Sequence, residues 1–165
     1  MAKEYSFDVV SQLDMQEVDN AVNQANKEIG TRYDFKGTNS RIEFDRRSPK
    51  LTVTSSEEFH VKSAVDVLQT KLVRRQIDLK ALSYGKVEPS AGGTARQDIQ
   101  LVTGIDQETG RTINKAIKER KTKARVQIEG DKLRVFSKSR DELQDIINFL
   151  RSADFGIPLQ FVNYR

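Results

Sequence analysis

The side chains able to make or break bonds are sparse. The 165-residue chain has no Cys, no Trp and one His, which removes thiol nucleophiles, thiolate metal sites and multi-histidine metal centres. His60 stands beside Phe59 and has no evident Ser or Asp partner for a proton relay, so it reads as a surface or boundary residue. The acidic pairs Glu57-Glu58 and Asp141-Glu142 fall at expected helix starts, where the helix dipole accounts for them. GxxxxGK[ST] and GxGxxG are both absent, and Gly92-Gly93-Thr94 has the glycines without a strand before them. No catalytic residue, metal site or cofactor is assigned; the expectation is a binding protein rather than an enzyme.

The chemistry that remains is cationic and aromatic. Arg32, Tyr33, Phe35 and Lys36 crowd one short segment; Lys71, Arg74 and Arg75 gather at one helix end; Lys138 and Arg140 flank the start of another. These groups suit phosphate and base recognition, since Arg contacts phosphate oxygens in pairs, stacks on rings and reads guanine through O6 and N7. A fourth cluster, Arg111, Lys115, Lys118, Lys121 and Lys123, lies in a run where Glu119 is the single acid, and it is the candidate for contacting nucleic-acid phosphates. The net charge of +4 arises entirely in the second half: residues 1–82 balance 13 cations against 13 acids, while residues 83–165 carry 15 against 11. With 36% hydrophobic and 32% charged residues the chain is neither disordered nor membrane-embedded, and no segment approaches the roughly 18 apolar residues of a membrane span. A cytoplasmic protein without membrane partners is expected.

An internal duplication supplies the elements that hold these groups. Lys50-Leu51-Thr52-Val53-Thr54-Ser55 resembles Lys132-Leu133-Arg134-Val135-Phe136-Ser137 at a shift of 82. The same shift maps Val61, Ala64, Val65 and Leu68 onto Leu143, Ile146, Ile147 and Leu150, two helical faces of spacing i, i+3, i+4, i+7. Earlier in each half the shift is 92, with Leu13-Asp14 matching Ile105-Asp106. Capping boxes are expected at Ser55 with Glu58 and Ser139 with Glu142, a cap at Asp14, and a stop at Gly30. Alternating strands precede each first helix at Tyr5-Phe7-Val9 and Ile99-Leu101-Thr103, and closing strands are expected at 78–84 and 159–164. The order βαββαβ, twice, predicts an α+β protein of two ferredoxin-like units with helices on one face of antiparallel sheets. The boundaries expected are 1–84 and 98–165, joined by a linker at 85–97 that contains Pro89-Ser90-Ala91-Gly92-Gly93.

The fall of the shift from 92 to 82 places most of the extra residues of the first half between Gly30 and Ser40. That insertion carries Tyr33 and Phe35, and exposed rings need cover. Two readings stand: the rings plug against the partner unit, or they meet a ligand. The third strands, Leu51–Ser55 and Leu133–Ser137, lack the K/R-G-F/Y-G/A-F-V-x-F/Y run that carries the stacking platform of an RNA-recognition motif, so any nucleic-acid contact must rest on cations and loop aromatics.

Tyr33-Asp34-Phe35-Lys36-Gly37, the stretch Lys132–Val135 leading into Lys138–Gln144, the opening Ser6–Ser11 and the ending Pro158–Arg165 resemble the bacterial YajQ family across essentially the whole chain. The resemblance implies a non-enzymatic nucleotide-binding protein. Its ligand would be a guanine nucleotide such as cyclic di-GMP or GTP, and the protein would act as a sensor or regulator on another macromolecule; binding to RNA, in particular tRNA, is the alternative. It also implies that residues 1–11 and 95–103 are exchanged between the two sheets.

Overall fold

The computed structural model describes residues 3–165; Met1 and Ala2, part of the stretch expected to exchange, lie outside the described residues. In chain order the first half contains β1 (Tyr5–Val10), α1 (Met15–Thr31), β2 (Arg41–Asp45), β3 (Lys50–Ser55), α2 (Glu58–Arg74) and β4 (Leu82–Ser90). The second contains β5 (Thr94–Leu101), α3 (Gln107–Glu119), β6 (Arg125–Glu129), β7 (Lys132–Ser137), α4 (Arg140–Ser152) and β8 (Gln160–Val162). The chain divides into an inner unit, Leu13–Val102, and an outer unit made of the residues up to Gln12 together with Thr103–Arg165.

Each unit is a four-stranded antiparallel sheet with two helices packed on it, the ferredoxin-like arrangement. The inner sheet runs β2-β3-β5-β4 and the outer β6-β7-β1-β8. In both, the strand expected before the first helix is replaced by one from the other half of the sequence: β5 lies between β3 and β4, and β1 between β7 and β8. Alternation explains which faces are buried. Phe7, Val9, Leu133 and Val135 point into one apolar cluster with Ile113, Ile117, Ile146 and Leu150 of the helices, as period-2 strands against period-3.6 helices require. Leu51, Val53 and Ile99 do the same against Val18, Ala21, Val61 and Leu68 in the inner unit.

Several boundaries differ from the sequence reading. Residues 85–97, linker-like in composition, form most of a β hairpin, with β4 and β5 paired from Leu82–Leu101 to Ser90–Thr94 across Ala91–Gly93. Glycine and proline are tolerated there because β4 is an edge strand with an irregularity between Tyr84 and Val87. The closing strand at 78–84 is instead a short 3-10 turn at Leu79–Ala81 followed by β4, and β8 is confined to three residues. The shift of 92 holds for the first helices, since Asp14 and Asp106 cap α1 and α3. For the strands it does not: Val9 faces Leu133 and Ile99 faces Leu51, so the exchanged strands correspond at a shift of 90, not the 94 that aligns Tyr5-Phe7-Val9 with Ile99-Leu101-Thr103.

The helix ends are mixed. Asp14 caps α1 by accepting from the amides of Gln16 and Glu17, and Ser139 caps α4 by accepting from Glu142 N at 3.2 Å. Ser55 caps nothing: α2 begins at Glu58 behind Glu57, which gives no side-chain cap, and the Ser55 hydroxyl meets that of Ser40 at 2.6 Å instead. Gly30 does not stop α1, which continues through Thr31.

Candidate functional site

The insertion after α1 folds into a fixed loop rather than a floppy one. Its Tyr33–Phe35 stretch is a single 3-10 turn, and Phe35 is driven into the inner core among Ile29, Val61 and Ala64, with its ring 6.4 Å from that of His60. Beyond it, a chain of hydroxyls ties the loop to the sheet: Thr38 Oγ1 donates to the Phe35 carbonyl at 2.7 Å and lies 2.6 Å from Ser40 Oγ, which reaches the fully buried Ser55. Asn26 fastens the far side by accepting from Ile42 N at 2.9 Å and donating to Ile42 O at 2.8 Å, so α1 supplies to the β2 edge the pairing a strand would give.

These anchors shape a cleft of about 490 Å³ lined by Ile29–Tyr33, Phe35–Gly37, Asn39 and Ser40. The two ring positions part company. Neither ring plugs against the partner unit: Phe35 is buried in the core of its own unit, and Tyr33 is 89% exposed. Arg32 lies over the Phe35 ring with Cζ 5.1 Å from its centroid and spends its donors on two carboxylates, Nε and Nη2 on Asp34 at 3.0 and 2.8 Å and Nη1 on Glu28 at 3.3 Å. The Arg32 guanidinium holds the Asp34 carboxyl below its usual range, and Lys71 followed by Arg32 does the same for Glu28. Arg32 is thus committed to shaping the loop, a poor state for reading guanine. Lys36 and Tyr33 are exposed and without an ion pair or side-chain hydrogen bond among the described residues.

The cations at the end of α2 do not act together. Lys71 turns to Glu28 at 3.0 Å, so it joins the loop's charge network. Arg75 pairs with Glu17 at 3.5 Å, while Arg74 sits apart with Val73, Asp66 and Leu79 around a shallow hollow. Lys138 and Arg140 belong to the outer unit. There Arg140 lies over Tyr5 with Cζ 4.5 Å from the ring centroid, beside Tyr164 and Arg165. Neither Tyr5 nor Tyr164 stood out in the sequence, although the Asn163-Tyr164-Arg165 ending put a ring and a cation side by side.

The basic run resolves into a stripe and a tail. Arg111, Lys115 and Lys118 recur at i, i+4 and i+7 and line one hollow on the exposed side of α3 with Asn114 and Glu119. Lys121 lies beyond the helix at φ 57 and Lys123 beyond that, both exposed. Arg120 and Arg125 are drawn off onto the rings of Phe149 and Phe136.

A buried charge was missed altogether. Asp8 of β1 is fully shielded from solvent and accepts from Arg134 Nε and Asn163 Nδ2 at 2.8 Å each, with Lys132 at 3.5 Å. Burial pushes its pKa up, but the hydrogen bonds and charges of Arg134, Asn163 and Lys132 outweigh that and bring it to about 2. Its counterpart by register, Asp98 of β5, accepts from Thr52 Oγ1 and Arg96 at 3.0 and 2.9 Å. Among the described residues no three His, Cys, Asp or Glu side chains gather closely enough to hold a metal ion, and no helix is long and apolar enough to cross a membrane.

Comparison with known proteins places this geometry in a lineage. The model of a family described as nucleotide-binding protein YajQ-like matches residues 5–165. The chain is 51% identical over 165 residues, the whole of both sequences, to a protein of Desulfitobacterium hafniense named nucleotide-binding protein, and equally to one of that name from Carboxydothermus hydrogenoformans. A nucleotide-binding protein of Chloroherpeton thalassium is 48% identical over the same full length.

Proposed function

The chain belongs to the YajQ-like family, and from that membership we propose that it is a non-enzymatic nucleotide-binding protein, a sensor or regulator whose ligand is a guanine nucleotide such as cyclic di-GMP or GTP. The observation that carries the reading is the cleft of the 30–40 loop, where an exposed Tyr33 and Lys36 stand on a base held rigid by Phe35 and by the Thr38–Ser40–Ser55 hydroxyls. A base stacks on Tyr33, phosphate meets Lys36, and the carboxylate-paired Arg32 keeps the loop in shape. Preorganisation of this kind lowers the ordering cost of binding.

Calorimetric titration of the full chain with cyclic di-GMP and with GTP tests it. Saturable heat in the micromolar range, weakened about tenfold or more when Tyr33→Ala and Lys36→Glu are combined, is the expected result. Silence at tens of micromolar for both ligands overturns the guanine assignment.

A second reading has its own support in the α3 stripe of Arg111, Lys115 and Lys118. Cations at one-turn spacing along an exposed helix suit the phosphates of an RNA such as tRNA, with affinity that falls steeply with salt and little base preference.

A further inference from the structure

The outer unit contains a second small pocket, of about 320 Å³, formed where the start of β1, the first two turns of α4 and the segment after β8 meet. That volume is at the small end of ligand pockets. Its floor is apolar, from Leu143 and Ile147. Its rim is two tyrosines and two arginines: Arg140 stacked on Tyr5 at 4.5 Å, and Tyr164, 61% exposed and 6.3 Å from Phe7, next to Arg165. The wall is held in place by main chain, since Ser6 N donates to Arg165 O at 3.1 Å and Arg165 N returns the bond to Ser6 O at 3.0 Å.

Charge separates this pocket from the loop cleft. Arg32 in the cleft is neutralised by Asp34 and Glu28, but Arg140 has a ring for a neighbour and no ion pair among the described residues, and no carboxylate side chain lines the pocket. A guanidinium resting on a π face keeps its donors and its charge for an incoming anion. Beside it, Gln144 gives one amide hydrogen to Asn148 at 3.0 Å and retains an acceptor oxygen for the edge of a base.

We propose that this pocket is a second binding site, independent of the 30–40 loop, for a purine mononucleotide: the base stacks on Tyr164 over the Leu143–Ile147 floor and the phosphate is met by Arg140 and Arg165. The class follows from the combination, because an apolar floor with an open ring selects a flat hydrophobic group and an unpaired stacked guanidinium selects phosphate.

The test is amide chemical-shift mapping of the full ¹⁵N-labelled chain with GMP, and separately with guanosine and with inorganic phosphate. GMP is expected to shift Ser6, Gln144, Tyr164 and Arg165 saturably, with Arg140→Gln or Tyr164→Leu weakening it by about tenfold and Tyr33→Ala leaving it unchanged. Both substitutions are at exposed positions, and the remaining amide shifts report that the fold is kept. No shift at these residues at millimolar GMP overturns the proposal, as does saturation by inorganic phosphate with the same affinity, or loss of the response in the Tyr33→Ala chain. A 30–40 loop silent toward GMP beside a responding pocket leaves this proposal standing, and the loop's own reading is decided by the cyclic di-GMP and GTP titrations.

Discussion

Asp8 of β1 and Arg134 of β7 face each other in register, joined by a 2.8 Å hydrogen bond from Nε to Oδ1 across the central strand pair of the outer sheet. At the matching position of the inner sheet Thr52 faces Asp98, again with a hydrogen bond between them. In each unit the carboxylate is carried by the strand from the other half of the sequence, and the partner by the resident β3 or β7. A charge-assisted bond at that seam rewards the correct incoming strand in the correct register, since a slip of one residue would turn the carboxylate into the apolar core.

The pH dependence of stability follows. Asp8 has a folded pKa of about 2 against an ordinary value of 3.8, so its contribution is fully present above 3.8 and is lost as pH falls from there through 2. Asp8→Asn removes the charge while keeping the shape. At pH 7 it is expected to cost about 1–3 kcal/mol, because Arg134 and Lys132 lose the buried charge they pair with and the amide nitrogen cannot accept from Asn163. Urea denaturation followed by circular dichroism should show the gap to the parent protein closing between pH 4 and pH 2; a gap that does not change with pH would refute the assignment.

The two rings of the loop should separate cleanly under mutation. Phe35→Ala removes a buried ring from the inner core and is expected to cost about 3–5 kcal/mol. Tyr33→Ala removes a ring that is 89% exposed and should stay within about 0.5 kcal/mol. Urea midpoints of the two variants measure both, and equal losses would contradict the placement of the loop.

Much of this fold was legible from periodicity. The apolar faces of α1, α2 and α4, the caps at Asp14 and Ser139 and the two ferredoxin-like units all follow from spacing, because helix and strand periods are set locally. What composition hid was β4: Gly85, Pro89 and Ser90 look like a linker, and only pairing with β5 makes them a strand. Strand pairing is a long-range property, and the shift of 90 between the exchanged strands follows only from which residues face each other. The candidate residues fared similarly. Arg32 and Lys36 share a loop and were found by adjacency, whereas Tyr5, Arg140 and Tyr164 meet only through tertiary structure. Asp8 looked like one more polar residue on an alternating strand, and nothing local signals that it is buried.

Gly85 is fixed by contact rather than by its own backbone freedom. A Cβ built there would stand 2.9 Å from the Asp98 carbonyl oxygen, a main-chain atom that moves only if β5 moves. The Gly85 carbonyl also accepts from Gln97 Nε2 at 2.8 Å, which pins the irregular stretch of β4 to its neighbour. Gly85→Ala should therefore cost about 1–3 kcal/mol, as overpacking does, and should speed hydrogen exchange in β4 and β5 while leaving β7 unaffected. Unaltered exchange in β4 would show that the strand accommodates the methyl group.

The α3 stripe makes a claim that salt can decide. If Lys115 and Lys118 each contact one phosphate, each releases counterions on binding, and the logarithm of affinity falls against the logarithm of salt by about 0.7–0.9 per contact. Changing both to Glu should weaken RNA binding and flatten that slope by about 1.4–1.8, with no change in preference among sequences. Because both side chains are exposed and neither forms an ion pair among the described residues, the substitutions should leave the urea midpoint almost unmoved, so that lost affinity reports on contact and not on folding. Filter binding of a tRNA across a salt series provides the slope. A slope that is equally steep in the double variant would remove α3 from the interface and leave the 30–40 loop as the surface to examine.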